Sequence, residues 1–216
     1  KEKPFTNAGG IPPPSRCGTW TGQHAIYGGL EIGGKIQFSI PGFPTSVPVP
    51  KTYSTTTDHT VIDSKTVWPK PWVGEAFGVD GVIVSIKSTG GLVALYTPTS
   101  TYQVRTGGSG KLFPMKTHGS FGCVNVLAAV AVGGEIHALS NGAWTVTRMD
   151  GIGNIAHERF ATTLAEIPAA YRYLACMAYY GYHDQVWAAV VKSGGTLAKR
   201  ILIWDRTRQA MMVFEP

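Results

Sequence analysis

Residues 173–214 read YLACMAYYGYHDQVWAAVVKSGGTLAKRILIWDRTRQAMMVF. Four apolar runs lie in this stretch: Tyr173 to Tyr180, Val186 to Val191, Leu197 to Trp204, and Met211 to Phe214. Each is parted from the next by residues that turn a chain, at Tyr182-His183-Asp184, Gly194-Gly195 and Arg206-Thr207-Arg208. The runs are short and rich in β-branched and aromatic residues, and their connections are of hairpin length. The stretch therefore predicts four consecutive antiparallel strands.

Four antiparallel strands in a row are the content of one propeller blade, and working back along the chain finds similar groups. Val82-Ile83-Val84-Ser85-Ile86 precedes Leu92 to Tyr96 across Gly90-Gly91. Val124 to Val132 precedes Glu135 to Leu139 across Gly133-Gly134, and Asn141-Gly142 supplies a type I′ turn signal into Ala143 to Thr147. Glycine pairs also fall at Gly28-Gly29, Gly33-Gly34 and Gly107-Gly108. The expected fold is all-β and β-propeller-like, a single domain over 1–216. It holds about four blade-like antiparallel units, near 17–47, 78–106, 112–149 and 170–216, at a spacing of about 40 to 50 residues.

Two stretches break this rhythm. Residues 41–75 contain Pro41, Pro44, Pro48, Pro50, Pro69 and Pro71, and proline lacks the donor that a central strand needs. They predict a long loop or excursion toward a neighbour. Its Trp68-Pro69-Lys70-Pro71-Trp72 segment carries large rigid aromatics of the kind that anchor interfaces, which makes Trp68, Pro69, Pro71 and Trp72 the candidate contact residues. Residues 157–166 place Phe160 and Leu164 at i, i+4 and stop before Pro168, which predicts one short helix.

Composition agrees and narrows the function. The chain has 216 residues, with 27 glycines and 14 prolines, and only 15% of its residues are charged. Its net charge of +6 is spread thinly: Lys65, Lys70 and Lys87 do not cluster as a nucleic-acid-binding surface requires. Three cysteines, Cys17, Cys123 and Cys176, are too few and too far apart for a disulfide framework and predict buried thiols in a reducing compartment. No apolar run approaches the roughly 20 residues that span a bilayer, so no membrane association is expected.

A family resemblance rests on phrases in order. Ile36-Gln37-Phe38-Ser39-Ile40-Pro41-Gly42-Phe43-Pro44 is a strand ending in serine before a proline-glycine turn. Gly91 to Thr97 leads to Thr101-Tyr102-Gln103-Val104. Gly122-Cys123-Val124, Ile136 to Gly142, Gln185-Val186-Trp187 and Ile203-Trp204-Asp205 follow. In this order the chain resembles the propeller-type tail hub, nozzle and stabilisation proteins of short-tailed bacteriophages over most of 17–216. The resemblance implies a structural virion protein assembled in the host bacterial cytoplasm. It also implies a homo-oligomeric, hexameric ring in contact with other phage neck and tail proteins, through which duplex DNA passes without sequence-specific binding. Complete members of the family have more blades than about four, so either residues are missing here or this subunit is an open or reduced version, and open strand edges invite pairing.

Chemistry has few footholds. The histidines, His24, His59, His118, His137, His157 and His183, show no metal-ligand spacing, and the glycine pairs lack the ending of a phosphate cradle. No catalytic residue, cofactor or metal is expected. His118 with Cys123 is the nearest approach to a Cys-His couple. Asp80, Glu135 and Asp150 are the carboxylates that a propeller glycoside hydrolase would have to pair. Trp204-Asp205 predicts a blade tryptophan with a turn-fixing aspartate, and Ser140-Asn141-Gly142-Ala143-Trp144 a plain hairpin. The rival readings are a carbohydrate- or receptor-binding propeller using Trp and Tyr platforms at loop ends and, behind it, the hydrolase.

Overall fold

The computed structural model describes residues 15–22, 25–29, 36–38, 79, 81–106, 112–118, 120–156, 158–191 and 200–215. Residues 41–75, with Trp68, Pro69, Pro71 and Trp72, lie outside the described residues, as do Gly33-Gly34, Gly107-Gly108 and Gly194-Gly195. Among the described residues the chain is all-β apart from short helical pieces, and its strands form four antiparallel sheets.

Sheet 1 holds β1 (Cys17–Trp20), β2 (Ala25–Gly28) and β3 (Gln37–Phe38). Sheet 2 holds β4 (Ser85–Thr89), β5 (Leu92–Tyr96), β6 (Thr101–Thr106) and β7 (Leu112–His118). Sheet 3 holds β8 (Ala129–Val132), β9 (Glu135–Ser140), β10 (Ala143–Arg148) and β11 (Gly151–Asn154). After helix α1 (Glu158–Ala165) and a 3-10 turn (Ala169–Leu174), sheet 4 holds β12 (Cys176–Tyr180), β13 (Gln185–Val190), β14 (Arg200–Asp205) and β15 (Ala210–Phe214). Every sheet is a meander in which each strand pairs with its sequence neighbour. The first strands stand side by side, β1 against β4, β4 against β8, and β8 against β12. That arrangement of successive meanders about a common line of first strands is propeller-like, and among the described residues the row is not closed.

The sequence boundaries shift in two places. Residues 112–118 belong to sheet 2 as its fourth strand rather than opening the third unit, because Leu112 to Lys116 pair with Tyr102 to Thr106. Sheet 3 instead takes its fourth strand from Gly151–Asn154, paired with Thr145 to Arg148, so it extends past residue 149. The expected type I′ turn at Asn141-Gly142 is also different: type I′ needs positive φ at both residues, and only Gly142 has it. Gly90-Gly91 and Gly133-Gly134 have positive φ at both positions, as the mirror-image hairpin turns require.

Period-two alternation explains the packing. On β5, Leu92, Ala94 and Tyr96 join the core shared with sheets 3 and 4, while Val93 and Leu95 join the core shared with sheet 1, so all five residues are buried. Sheet 1 approaches sheet 2 closely at Gly28, where an added Cβ would stand 2.6 Å from the Ile86 side chain and 3.0 Å from that of Ile83. Between sheets 3 and 4, Asn125 acts as a tie. Its amide donates to the carbonyls of Arg172 and Ala175, and its side-chain oxygen accepts from the N–H groups of Leu127 and Ala128.

Candidate functional site at the open end of sheet 4

Cross-strand register puts Cys176, Ala189, Ile201 and Phe214 in one row of sheet 4, and Ala178, Trp187, Ile203 and Met212 in the next. Both rows lie on the face away from sheet 3. The opposite face carries Val186, Ala188, Val190, Leu202 and Trp204, all in the core. Strand β13 therefore alternates buried and half-buried along its length. The outer face is almost wholly apolar and partly open, with Met212 40% and Phe214 53% exposed. Cys176 lies exposed on it, which corrects the expectation of a buried thiol; Cys17 and Cys123 are buried as expected.

At the end of this face, rings accumulate around the β12–β13 turn. Tyr180 packs edge-on against Trp187 at 5.5 Å and against His183 at 5.4 Å, and Tyr182 meets His183 at 4.7 Å and 80°. The β14–β15 turn faces them. Between the two turns lies an open cavity of about 330 Å³ lined by Tyr182, His183, Asp184, Gln185, Asp205, Thr207 and Arg208. Asp205 behaves as the turn-fixing aspartate read from the sequence. It accepts the Arg208 backbone N–H at 2.8 Å, which with the Gln185 amide and the Arg208 guanidinium holds its carboxyl below the ordinary value.

Beside the cavity an ionic clamp joins sheets 3 and 4. Arg206 pairs with Asp184 at 2.5 Å and stands 3.7 Å from Glu135, which also binds Arg148 at 2.6 Å. Tyr179 donates its hydroxyl to the same Asp184 oxygen. Buried His137 accepts the Trp144 indole N–H on Nδ1 at 3.2 Å, so its neutral form carries the proton on Nε2, 3.5 Å from Glu135. Burial pulls the His137 pKa down to about 4 against the pull of Glu135, with Arg206 adding to the fall.

The chemical candidates from sequence do not converge. Glu135 is tied to the Arg206 guanidinium, which it shares with Asp184, rather than facing Asp150, which is exposed on a turn, and Asp80 lies outside the described residues. Burial pushes the Cys123 thiol up to about 12, and it donates to the Asn125 carbonyl, so it is not the activated thiol that a Cys-His couple needs; the His118 side chain lies outside the described residues. Among the described residues no three His, Cys, Asp or Glu side chains gather as metal ligands, and no helix is long and apolar enough to cross a membrane. The aromatic cluster is what sequence reading passed over as a turn; the signal available was the density of rings in Tyr179-Tyr180-Gly181-Tyr182-His183 beside that turn.

Comparison with known proteins adds little. No protein family matches the chain, and no curated protein does. Among solved structures, the chain is similar to the crystal structure of the extracellular domain of the putative one component system BT4673 from B. thetaiotaomicron. The match has a TM-score of 0.47 and 10% identity, over 91% of this chain and 21% of that one. The chain thus spans about a fifth of the length of that extracellular-domain chain.

Proposed function

We propose that the chain is a structural virion protein of the neck or tail of a short-tailed bacteriophage. Copies of it would form a ring, six by the family resemblance, around the channel through which duplex DNA leaves. Its role is mechanical and needs no active site. The observation that carries this reading is the outer face of sheet 4. On β5 both apolar faces are covered by neighbouring sheets, whereas this face presents Trp187, Ile201, Ile203, Met212 and Phe214 in the same alternation with no described sheet against it. A contiguous apolar face of this kind marks an interaction surface. Its fit is to another sheet, and a head-to-tail contact between copies closes into a ring when the rotation per subunit permits.

The test is mass measurement and single-particle imaging of the purified chain, alone and with candidate partner rings. The expected result is a closed ring with an axial channel wide enough for duplex DNA, lost in Ile203→Lys while the fold is kept. A monomer at every concentration, which also fails to join neck and tail rings, overturns the reading.

A further inference from the structure

We propose that the cavity at the tip of sheet 4 binds a neutral saccharide, through Tyr182 as a stacking platform and the polar side chains of the two facing turns. The inference is independent of the ring reading.

Size comes first. At about 330 Å³ the cavity falls at the small end of the range for ligand sites, which is roughly 300–1,000 Å³. It is open on one side, which leaves a ligand a way in.

The platform comes second. Tyr182 is 83% exposed, an unusual position for a large ring on a short turn. It is nonetheless braced: His183 lies edge-on to it, Tyr180 stands 6.3 Å away, and Trp187 supports Tyr180 from the sheet. A ring held in this way offers an apolar face with little conformational entropy to lose, and the C–H face of a pyranose is a match for it.

Charge comes third and selects among polar ligands. The cavity's carboxylates are each matched by a guanidinium, Asp205 by Arg208 and Asp184 by Arg206. Neither an anion nor a cation finds an uncompensated partner. What remains is a set of hydrogen-bonding groups without net charge, namely the second N–H of the Gln185 amide, whose other N–H binds Asp205 and whose oxygen accepts from Trp187, the Thr207 hydroxyl and the outward N–H groups of Arg208, whose side chain is mostly exposed. Adjacent hydroxyls on a sugar ring both donate and accept, which is the pattern such a set can satisfy.

Backbone conformation comes fourth. Among the described residues, the non-glycine residues with positive φ are Asp184 (φ 51°) and Gln209 (φ 52°), and they sit in the two turns that face each other across this cavity. Left-handed backbone at non-glycine residues is uncommon, and it gathers where a surface is shaped for a ligand.

The experiment is a titration of the full chain, followed by NMR or calorimetry. The probes are methyl α- and β-hexopyranosides of the gluco, galacto and manno series, their neutral oligomers, and glucuronate and inorganic phosphate as anions. Saturable binding of at least one neutral probe is expected, weakened about tenfold or more by Tyr182→Ala and kept by Tyr182→Phe. Trp20→Ala, an exposed aromatic on sheet 1, should leave it unchanged, and circular dichroism checks that each variant is folded. Stronger binding by an oligomer than by its monomer points to a surface glycan as the source; equal binding points to a free sugar. Absence of saturable binding by every neutral probe overturns the proposal. So does binding that Tyr182→Ala leaves intact, or binding of the anions alone.

Discussion

Sheets 3 and 4 are built to one plan, yet they bury their residues differently. Strand β10 of sheet 3 is buried at five consecutive positions, Ala143 to Thr147, whereas β13 of sheet 4 alternates. Both are four-stranded meanders with apolar residues on both faces. The difference is that sheet 3 lies between sheets 2 and 4, and sheet 4 has a described neighbour on one side only. A strand with two apolar faces is the pattern of an interior layer, so sheet 4 has the sequence of an interior layer and the position of an end layer.

The largest expected effect contrasts a tryptophan from each sheet. Trp144 is fully buried and hydrogen-bonded to His137, so Trp144→Ala should cost about 3–5 kcal/mol. Trp187 is half-buried on the outer face, and Trp187→Ala should cost about 1 kcal/mol in the isolated chain. Urea denaturation of both variants decides the matter, and equal losses would erase the distinction between the sheets.

A smaller effect follows pH. The folded-state pKa of His137 is about 4 against an ordinary 6.5. Between those values the unfolded chain binds a proton that the folded chain does not. Stability from this site is therefore full above about pH 6.5 and falls as pH drops toward 4, by up to about 3 kcal/mol. The comparison to make is the difference in urea midpoint between pH 7.5 and pH 4.5 for wild type and for His137→Gln, which keeps an acceptor for Trp144. A pH response unchanged in the variant would show that other groups carry it.

Smallest of all is Met212→Ser, on the open face of sheet 4. As a surface change it should move stability by less than about 0.5 kcal/mol while reducing self-association in sedimentation. A loss as large as that expected for Trp144 would mean that the face is already covered.

Much of this architecture was legible because strands and turns are local. Leu92 to Tyr96 and Glu135 to Ser140 are apolar runs bounded by glycine pairs, and they form strands β5 and β9 in hairpins turned at those pairs. The helix over 157–166 likewise appears as Glu158–Ala165. What misled was grouping. Glycines stand on both sides of residues 112–118, and nothing local says whether that strand turns back onto β6 or starts a new sheet. Pairing with β6 decides it, and distant contacts reinforce the choice: Cys123 donates its N–H to the Thr97 carbonyl, and the backbone at Thr97 to Thr99 approaches Gly122 so closely that any side chain there would clash. These pin the segment after β7 against the sheet it leaves.

The candidate site was legible only in part. Asp205 could be read as a turn-former because its hydrogen bond to Arg208 spans three residues. The clamp could not, since Glu135, Asp184 and Arg206 come from three separate stretches of chain and a salt bridge leaves no trace in spacing. The sequence by itself determined that this protein would be a series of antiparallel meanders, because alternation and turn chemistry act between residues a few positions apart. Which strands share a sheet, which apolar face stays uncovered, and which rings and charges meet across the tip of sheet 4 were decided by tertiary structure alone. Those depend on contacts between residues tens of positions apart, where the geometry of the packed sheets, and not the order of the residues, sets who is neighbour to whom.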